Sequence, residues 1–290
     1  MTLPKLIMLV GTPASGKTTY AKNYIAEHHN SVALSSDLVR AELYGDEAIQ
    51  GDPNEVFQLL QKRAVAALND GYTVVYDCTN MTRKDRAGII SACPKFANIE
   101  AHIIWAPIEE CIERDASRCR TVGKEVIDRM VKRFQAPWFD EGIREIKMVL
   151  PHSFDTVQYT EKCFEGMKTP HDNPHHTEDI YGHCADAHRY IFDLHYSGTL
   201  AVAALVHDIG KPYVKAFTDS KGNPCEYAHY YQHQCVGAWM SYGLRWGEPY
   251  IAWLISTHMD PYMNTKYYKN LPPFLKRDID LLHEADLAAH

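Results

Sequence analysis

The stretch GTPASGKTT, residues 11–19, fits G-x-x-x-x-G-K-[ST] through Gly11, Gly16, Lys17 and Thr18. Glycine lets backbone N–H groups curl round a phosphate, and a helix that starts just after adds positive potential. Lys17 can reach the β- and γ-phosphates of ATP, and the Thr18 hydroxyl can hold Mg²⁺. Thr19 is the next nucleotide-binding candidate. The acceptor side is read from SSDLVR (35–40). Asp37 there suits a base that takes a proton from an attacking hydroxyl, and Arg40 suits a phosphate of the acceptor. Asp77, at the end of TVVYD, is a natural partner of Mg²⁺. Arg114 and Arg118 are four apart and expected on one helix face, where they can close over a transferring phosphoryl group. The structural alternatives are a helix cap at Asp37, strand-end solvation at Asp77 and a solvated surface helix at the arginines.

A second chemistry follows residue 150. Of the 16 histidines, all but His28, His29 and His102 lie there. In AVAALVHDIGKP (201–212) an apolar run ends in His207-Asp208. An ionised Asp beside such a run costs several kcal/mol unless something compensates, and metal ligation would. His176 and His183 are seven apart and share a helix face. His233, His258 and Asp286 sit in three further helical segments. Imidazoles and carboxylates converging from separate helices make a divalent-metal site. Their structural alternative is hydrogen bonding within a helical core. His188 and His195 read as ordinary helix residues, and His176 as a phosphate contact or loop residue.

Two kinds of framework must position these groups. Strand-like LIMLV (6–10), SVALSS (31–36), TVVYD (73–77), AHIIWA (101–106) and KMVL (147–150) alternate with helical segments, which implies a parallel sheet covered on both faces. Thr82 and Asp85 form a capping box, and helices are expected near 108–119 and 123–135. After the polar loop HDNPHHTED (171–179), with a helix start at Thr177, only helical patterns follow, near 178–195, 199–209, 229–243, 248–258 and 274–289. The boundary falls between 151 and 172, giving domains 1–155 and 156–290. With 46% hydrophobic and 23% charged residues, both halves can bury a core. A net charge of −7 argues against a basic coat for bulk nucleic acid but leaves room for a narrow basic channel. No segment has the ~20 apolar residues of a membrane span, no secretory signal is read, and eight scattered cysteines read as reduced thiols. The expectation is a cytoplasmic protein without a membrane partner.

The loop, the D-x-x-R of Asp37 and Arg40, the D-x-T-N of Asp77 to Asn80 and the R-x-x-x-R of Arg114 and Arg118 resemble the polynucleotide 5′-kinase branch of the P-loop kinases. The resemblance implies Asp37 as general base for a 5′-hydroxyl, Arg40 on the neighbouring 3′-phosphate, and Arg114 and Arg118 on ATP phosphates. Small-metabolite kinases and antibiotic phosphotransferases share the loop and the Asp. The second half resembles the HD phosphohydrolases, an all-α fold. That resemblance implies one or two divalent transition-metal ions, with His183, His207, Asp208 and Asp286 as ligands and His233 and His258 added where two ions are held. Lys211 would contact substrate phosphate. Together they imply an α/β P-loop kinase domain followed by an all-α HD domain. Such a chain would heal RNA or DNA ends, phosphorylating 5′-OH with ATP and Mg²⁺ and removing 2′,3′-cyclic or 3′/2′-phosphate. No K-x-D-G motif is present, so sealing would need a separate ligase. The alternatives are a nucleoside or metabolite kinase fused to a nucleotide phosphohydrolase, and a kinase with a non-catalytic HD nucleotide sensor.

Overall fold

The computed structural model describes residues 3–174, 178–194, 196 and 198–289. The expectations on His176, the Thr177 helix start and His195 fall outside them. The chain divides into two compact units, residues 1–130 with 137–152, and residues 131–136 with 153–290.

In the first unit, β1 (Lys5–Val10), α1 (Lys17–Glu27), β2 (Ser31–Ser35), α2 (Ser36–Tyr44), α3 (Pro53–Asn69), β3 (Thr73–Asp77), α4 (Arg83–Ala92), β4 (Asn98–Ile104) and α5 (Ile108–Ala116) follow one another. Then α6 (Lys124–Val131) runs to the boundary and β5 (Glu145–Val149) completes the sheet. The five strands lie in the order β2-β3-β1-β4-β5, all parallel. Leu6 to Val10 are fully buried, as expected of a central strand covered on both faces. Ser35 pairs with Asp77, so the segments that follow β1, β2 and β3 emerge side by side at one carboxyl edge. The Thr82–Asp85 capping box forms in both directions, at 3.1 and 3.0 Å.

The second unit holds α7 (Thr156–Met167), α8 (Ile180–Asp193), α9 (Gly198–Val206), α10 (Lys211–Val214), β6 (Ala216–Thr218), β7 (Pro224–His229), α11 (His233–Ser241), α12 (Pro249–Thr257), α13 (Asp260–Met263), α14 (Lys266–Asn270) and α15 (Pro273–Ala288). Its core packs α8 on α9 and α11 on α12, with Trp239, Trp253 and Tyr242 buried. The all-α expectation needs one correction. β6 and β7 pair as an antiparallel hairpin. Asp219 turns it by accepting from the backbone of Lys221 and Asn223, at 2.8 and 2.9 Å. The strands are too short and too exposed for an alternating pattern to stand out. The amphipathic α7, capped by Asp155, occupies most of the stretch in which the sequence placed the domain boundary.

Candidate phosphotransfer and metal sites

The loop between β1 and α1 is shaped by its glycines. A Cβ on Gly11 would meet Ile104 O and Ser15 Oγ, each at 2.6 Å, so no larger residue fits. Gly16 has φ 106°, in the left-handed region. Lys17 opens α1 and its Nζ donates to Thr12 O at 2.6 Å, across the mouth of the loop. Ser15 Oγ is buried with no hydrogen-bond partner among the described residues. A narrow turn, an ammonium and an unsatisfied hydroxyl suit a phosphate chain. Thr19 is exposed in the first turn of α1.

Thr18 Oγ1 donates to Asp77 Oδ2 at 2.8 Å. Burial raises the Asp77 carboxyl above its ordinary range, and Lys17 and Thr18 act against that. Burial also lowers Lys17, with Asp77 opposing. The arrangement suits a divalent ion, which Thr18 would hold with Asp77 in support and which would offset phosphate charge. Asn80, at φ 48°, donates to Leu9 O at 2.8 Å, and Gly11 N donates to Thr79 O at 3.0 Å. The Asp77–Asn80 turn is thereby stitched to the loop. Arg86, fully buried, donates to Asn80 O at 2.9 Å and forks onto both Glu141 oxygens at 2.7 Å.

Ser35 caps α2 and accepts from Asp37 N at 3.2 Å, so Asp37 is not the cap. The Asp37 carboxylate is half-exposed and accepts from Arg40 Nη1 at 2.7 Å. Arg120 Nη1 stands 3.5 Å from its other oxygen and 3.5 Å from Glu47. The shared helix face of Arg114 and Arg118 does not exist. α5 stops at Ala116, and Arg118 lies beyond it. Buried Asp115 captures the amides of Val122 and Gly123, both at 2.9 Å, and turns the chain away. Arg114 stays on the helix and pairs with Glu110 at 2.9 Å. Spacing alone pointed to Arg118; the turn made by Asp115 delivers Arg120 to Asp37 instead.

In the second unit, six residues from α8, the turn after α9, α11, the end of α12 and α15 meet. Donor atoms of His183, His207, Asp208 and Asp286 lie within 4.8 Å of one another, as do those of Asp208, His233 and His258. His183 Nε2 is 2.9 Å and His207 Nε2 3.3 Å from Asp286 Oδ1. His233 Nε2 is 3.2 Å from Asp208 Oδ1 and 3.2 Å from His258 Nε2. All four Nδ1 atoms face backbone carbonyls: Ala289 for His183 (3.1 Å), Ala204 for His207 (2.8 Å), Tyr230 for His233 (2.8 Å) and Ile255 for His258 (2.7 Å). A carbonyl only accepts, so each Nδ1 carries the proton and each Nε2 offers a lone pair. Four lone pairs and two carboxylates converge, which suits a cation at their centre and fits a divalent metal.

The two carboxylates and His258 carry the protonation states this donor set needs. Burial opposes a charge on Asp208, yet Lys211 and His207 hold it well below the usual range. Burial likewise opposes Asp286, and His183 and His207 hold it low. Burial, then His233 and His207, push His258 down to about 3. Burial disfavours a proton on His207, but Asp208 outweighs that and raises it, so without a metal this ring also holds a proton on Nε2, which a bound cation would displace. His188 lies outside the cluster, its Nδ1 2.8 Å from Ala201 O. Lys211 Nζ is 2.5 Å from Asp208 Oδ2 and 3.4 Å from His171 Nε2. His171, placed by sequence in a polar loop, is buried against this cluster. The only sequence signal for it was the density of histidines in 171–176.

Residues 6–137 match the AAA domain family model. The L-seryl-tRNA(Sec) kinase of Methanococcus maripaludis is 28% identical over 145 residues, 46% of this chain and 53% of that protein. The transcription factor bHLH140 of Arabidopsis thaliana is 25% identical over 149 residues, 49% of this chain and 15% of that protein. The matched region thus spans about half the length of the first relative and much less of the second. A chain in the solved Pnkp1/Rnl/Hen1 RNA repair complex is 27% identical with a TM-score of 0.42, covering 46% of this chain and 44% of that one. The family match, the parallel sheet and the phosphate loop together fit a P-loop kinase domain.

Proposed function

We propose that the chain is a bifunctional nucleic-acid end-healing enzyme, with a P-loop polynucleotide kinase domain in residues 1–155 and an HD phosphohydrolase domain in residues 156–290. The observation that carries this reading is the presence, in one chain, of a Lys17–Thr18–Asp77 triphosphate cradle beside a carboxylate flanked by arginines, and of a six-residue lone-pair cage. In the first unit, Asp37 takes the proton of a 5′-hydroxyl as its oxygen bonds to the γ-phosphorus of ATP and ADP leaves. Arg40 and Arg120 bring positive charge to the acceptor side, and Lys17 holds the β- and γ-phosphates. Arg114 and Arg118 are kept as candidate contacts to ATP. The similarity to an L-seryl-tRNA kinase supports phosphotransfer to a hydroxyl.

In the second unit, divalent ions would supply Lewis acidity, polarising a phosphoryl oxygen and acidifying water. His183, His207, Asp208 and Asp286 would hold one ion, and Asp208, His233 and His258 a second. Lys211 supplies charge to a substrate phosphate. The substrate class is a 2′,3′-cyclic or 3′/2′-phosphate at an RNA or DNA end. A cytoplasmic location and a separate ligase go with this role. The net charge of −7 favours a second reading, a nucleoside or metabolite kinase joined to a nucleotide phosphohydrolase. A metal-free second unit would favour a third, a nucleotide sensor.

The test uses γ-labelled ATP with a 5′-OH oligonucleotide and with free nucleosides. Label is expected on the oligonucleotide. Lys17→Ala and Asp37→Ala are each expected to cut the rate at least a hundredfold, in the range of lost transition-state contacts. Label on nucleosides with cold oligonucleotides would exclude the end-healing reading.

A further inference from the structure

We infer that His171 is a positioning residue which, with Tyr230, holds the Lys211 ammonium ready for a phosphate. The inference rests on reading the second unit as a metal-dependent phosphoesterase. His171 precedes α8 and is 1% exposed. Its Nδ1 is 3.0 Å from Glu178 O, which can only accept, so Nδ1 carries the proton. Its Nε2 is 3.4 Å from Lys211 Nζ, which can only donate, so the lone pair of Nε2 receives the ammonium.

The same ammonium lies 2.5 Å from Asp208 Oδ2 and 5.5 Å from the ring centroid of Tyr230. The Tyr230 hydroxyl donates to the His171 carbonyl, and the Tyr230 carbonyl orients His233. Lys211 is therefore held from three sides at the rim of the ligand cluster, rather than drawn onto Asp208 alone. A lysine is a long, flexible point charge that loses rotamer freedom when it grips an anion. Ordering it beforehand removes that cost from binding. The ligand class is a phosphate monoester or cyclic phosphodiester, and orthophosphate is its simplest probe.

The experiment uses the full chain loaded with Mn²⁺. Metal content is read by elemental analysis, orthophosphate affinity by calorimetry, and KM and kcat on a 3′-phosphate oligonucleotide. His171→Leu is expected to keep wild-type metal content, to weaken orthophosphate about tenfold, as for a lost hydrogen bond to a charged group, and to raise KM more than it lowers kcat. His171→Gln, whose amide oxygen can accept from Lys211, is expected to restore affinity to within about threefold. Lys211→Ala should lose as much as His171→Leu, and the double variant should lose no more than Lys211→Ala. Mn²⁺ held with orthophosphate affinity unmoved in His171→Leu overturns the inference alone, as does a glutamine variant as weak as leucine or a loss of Mn²⁺ in His171→Leu. A wild-type chain that holds no Mn²⁺ overturns the reading of the unit and the inference with it.

Discussion

Glu100, in β4, is 3% exposed and has three donors round it. Lys5 Nζ and Asn98 Nδ2 meet Oε1 at 2.7 and 3.0 Å, and His102 Nε2 meets Oε2 at 3.2 Å. His102 Nδ1 then accepts from the Tyr20 hydroxyl at 2.8 Å. Because Tyr20 belongs to α1, this chain of polar groups ties the helix behind Lys17 and Thr18 to the sheet. Burial works against the charge, but the hydrogen bonds from His102 and Lys5 outweigh it and bring the Glu100 carboxyl down to about 2. A carboxyl whose folded pKa lies below its unfolded value stabilises the fold above that unfolded value, and loses the contribution as pH falls towards the folded one. Here the window runs from about pH 4.5 down to about pH 2. Glu100→Gln is expected to cost about 2 kcal/mol at pH 7, a figure lowered for solvent screening. The gap to wild type should begin to close below about pH 4.5. Urea unfolding across a pH series measures it; a gap independent of pH would show that Glu100 acts through packing and not through charge.

Elements bring the histidine–aspartate cluster together by close approach, and Gly210 is one such approach. Its φ of −79° makes no special demand on the backbone, but a Cβ there would stand 2.2 Å from His233 O and 2.6 Å from Gly237 N. Both are backbone atoms of α11, so the helix carrying His233 would have to move. Gly237 is gentler: a Cβ there would stand 3.2 Å from both Gly210 N and the side chain of Ile255. Gly210→Ala is therefore expected to cost about 3 kcal/mol and to lower bound Mn²⁺, whereas Gly237→Ala costs 1 kcal/mol or less. Thermal melts and metal analysis compare them; equal losses would show that this approach does not set the position of His233. The same contrast shows what a sequence can convey. Strand periodicity and the capping box were legible, because LIMLV and Thr82–Asp85 encode local preferences. The six convergent histidines and aspartates were legible as residue types. The role of Arg120 was not, because it depends on Asp115 capturing amides seven and eight residues later. Nor was His171, whose burial depends on a carbonyl seven residues on and an ammonium 40 positions away. The hairpin was hidden because its short strands leave most side chains half in water.

The described residues hold a candidate ligand site in each of the two units, so ligands and variants can be crossed against each other. Anything that binds only the folded state stabilises it by RT ln(1 + [L]/Kd), about 2.7 kcal/mol at a hundredfold excess over Kd. In a unit the size of the second one, that is roughly a 5–10 °C rise in Tm. Mn²⁺ would bind through the lone pairs of His183, His207, His233 and His258, which face one another and two carboxylates in its absence. Loading therefore exchanges the hydrogen bonds and ion pairs among these groups for metal contacts. Asp208 bridges both ligand groups, so Asp208→Asn should abolish the rise produced by Mn²⁺. Lys17→Ala, in the other unit, should leave it intact. With ATP and Mg²⁺ the dependence should reverse, because Lys17 closes the loop over Thr12 in the first unit and Asp208 belongs to the second. Differential scanning fluorimetry on the full chain and both variants reads all four combinations. A rise with Mn²⁺ that survives Asp208→Asn would mean the ion binds elsewhere, and the helical unit would then lose its claim to metal chemistry while the phosphate loop kept its own.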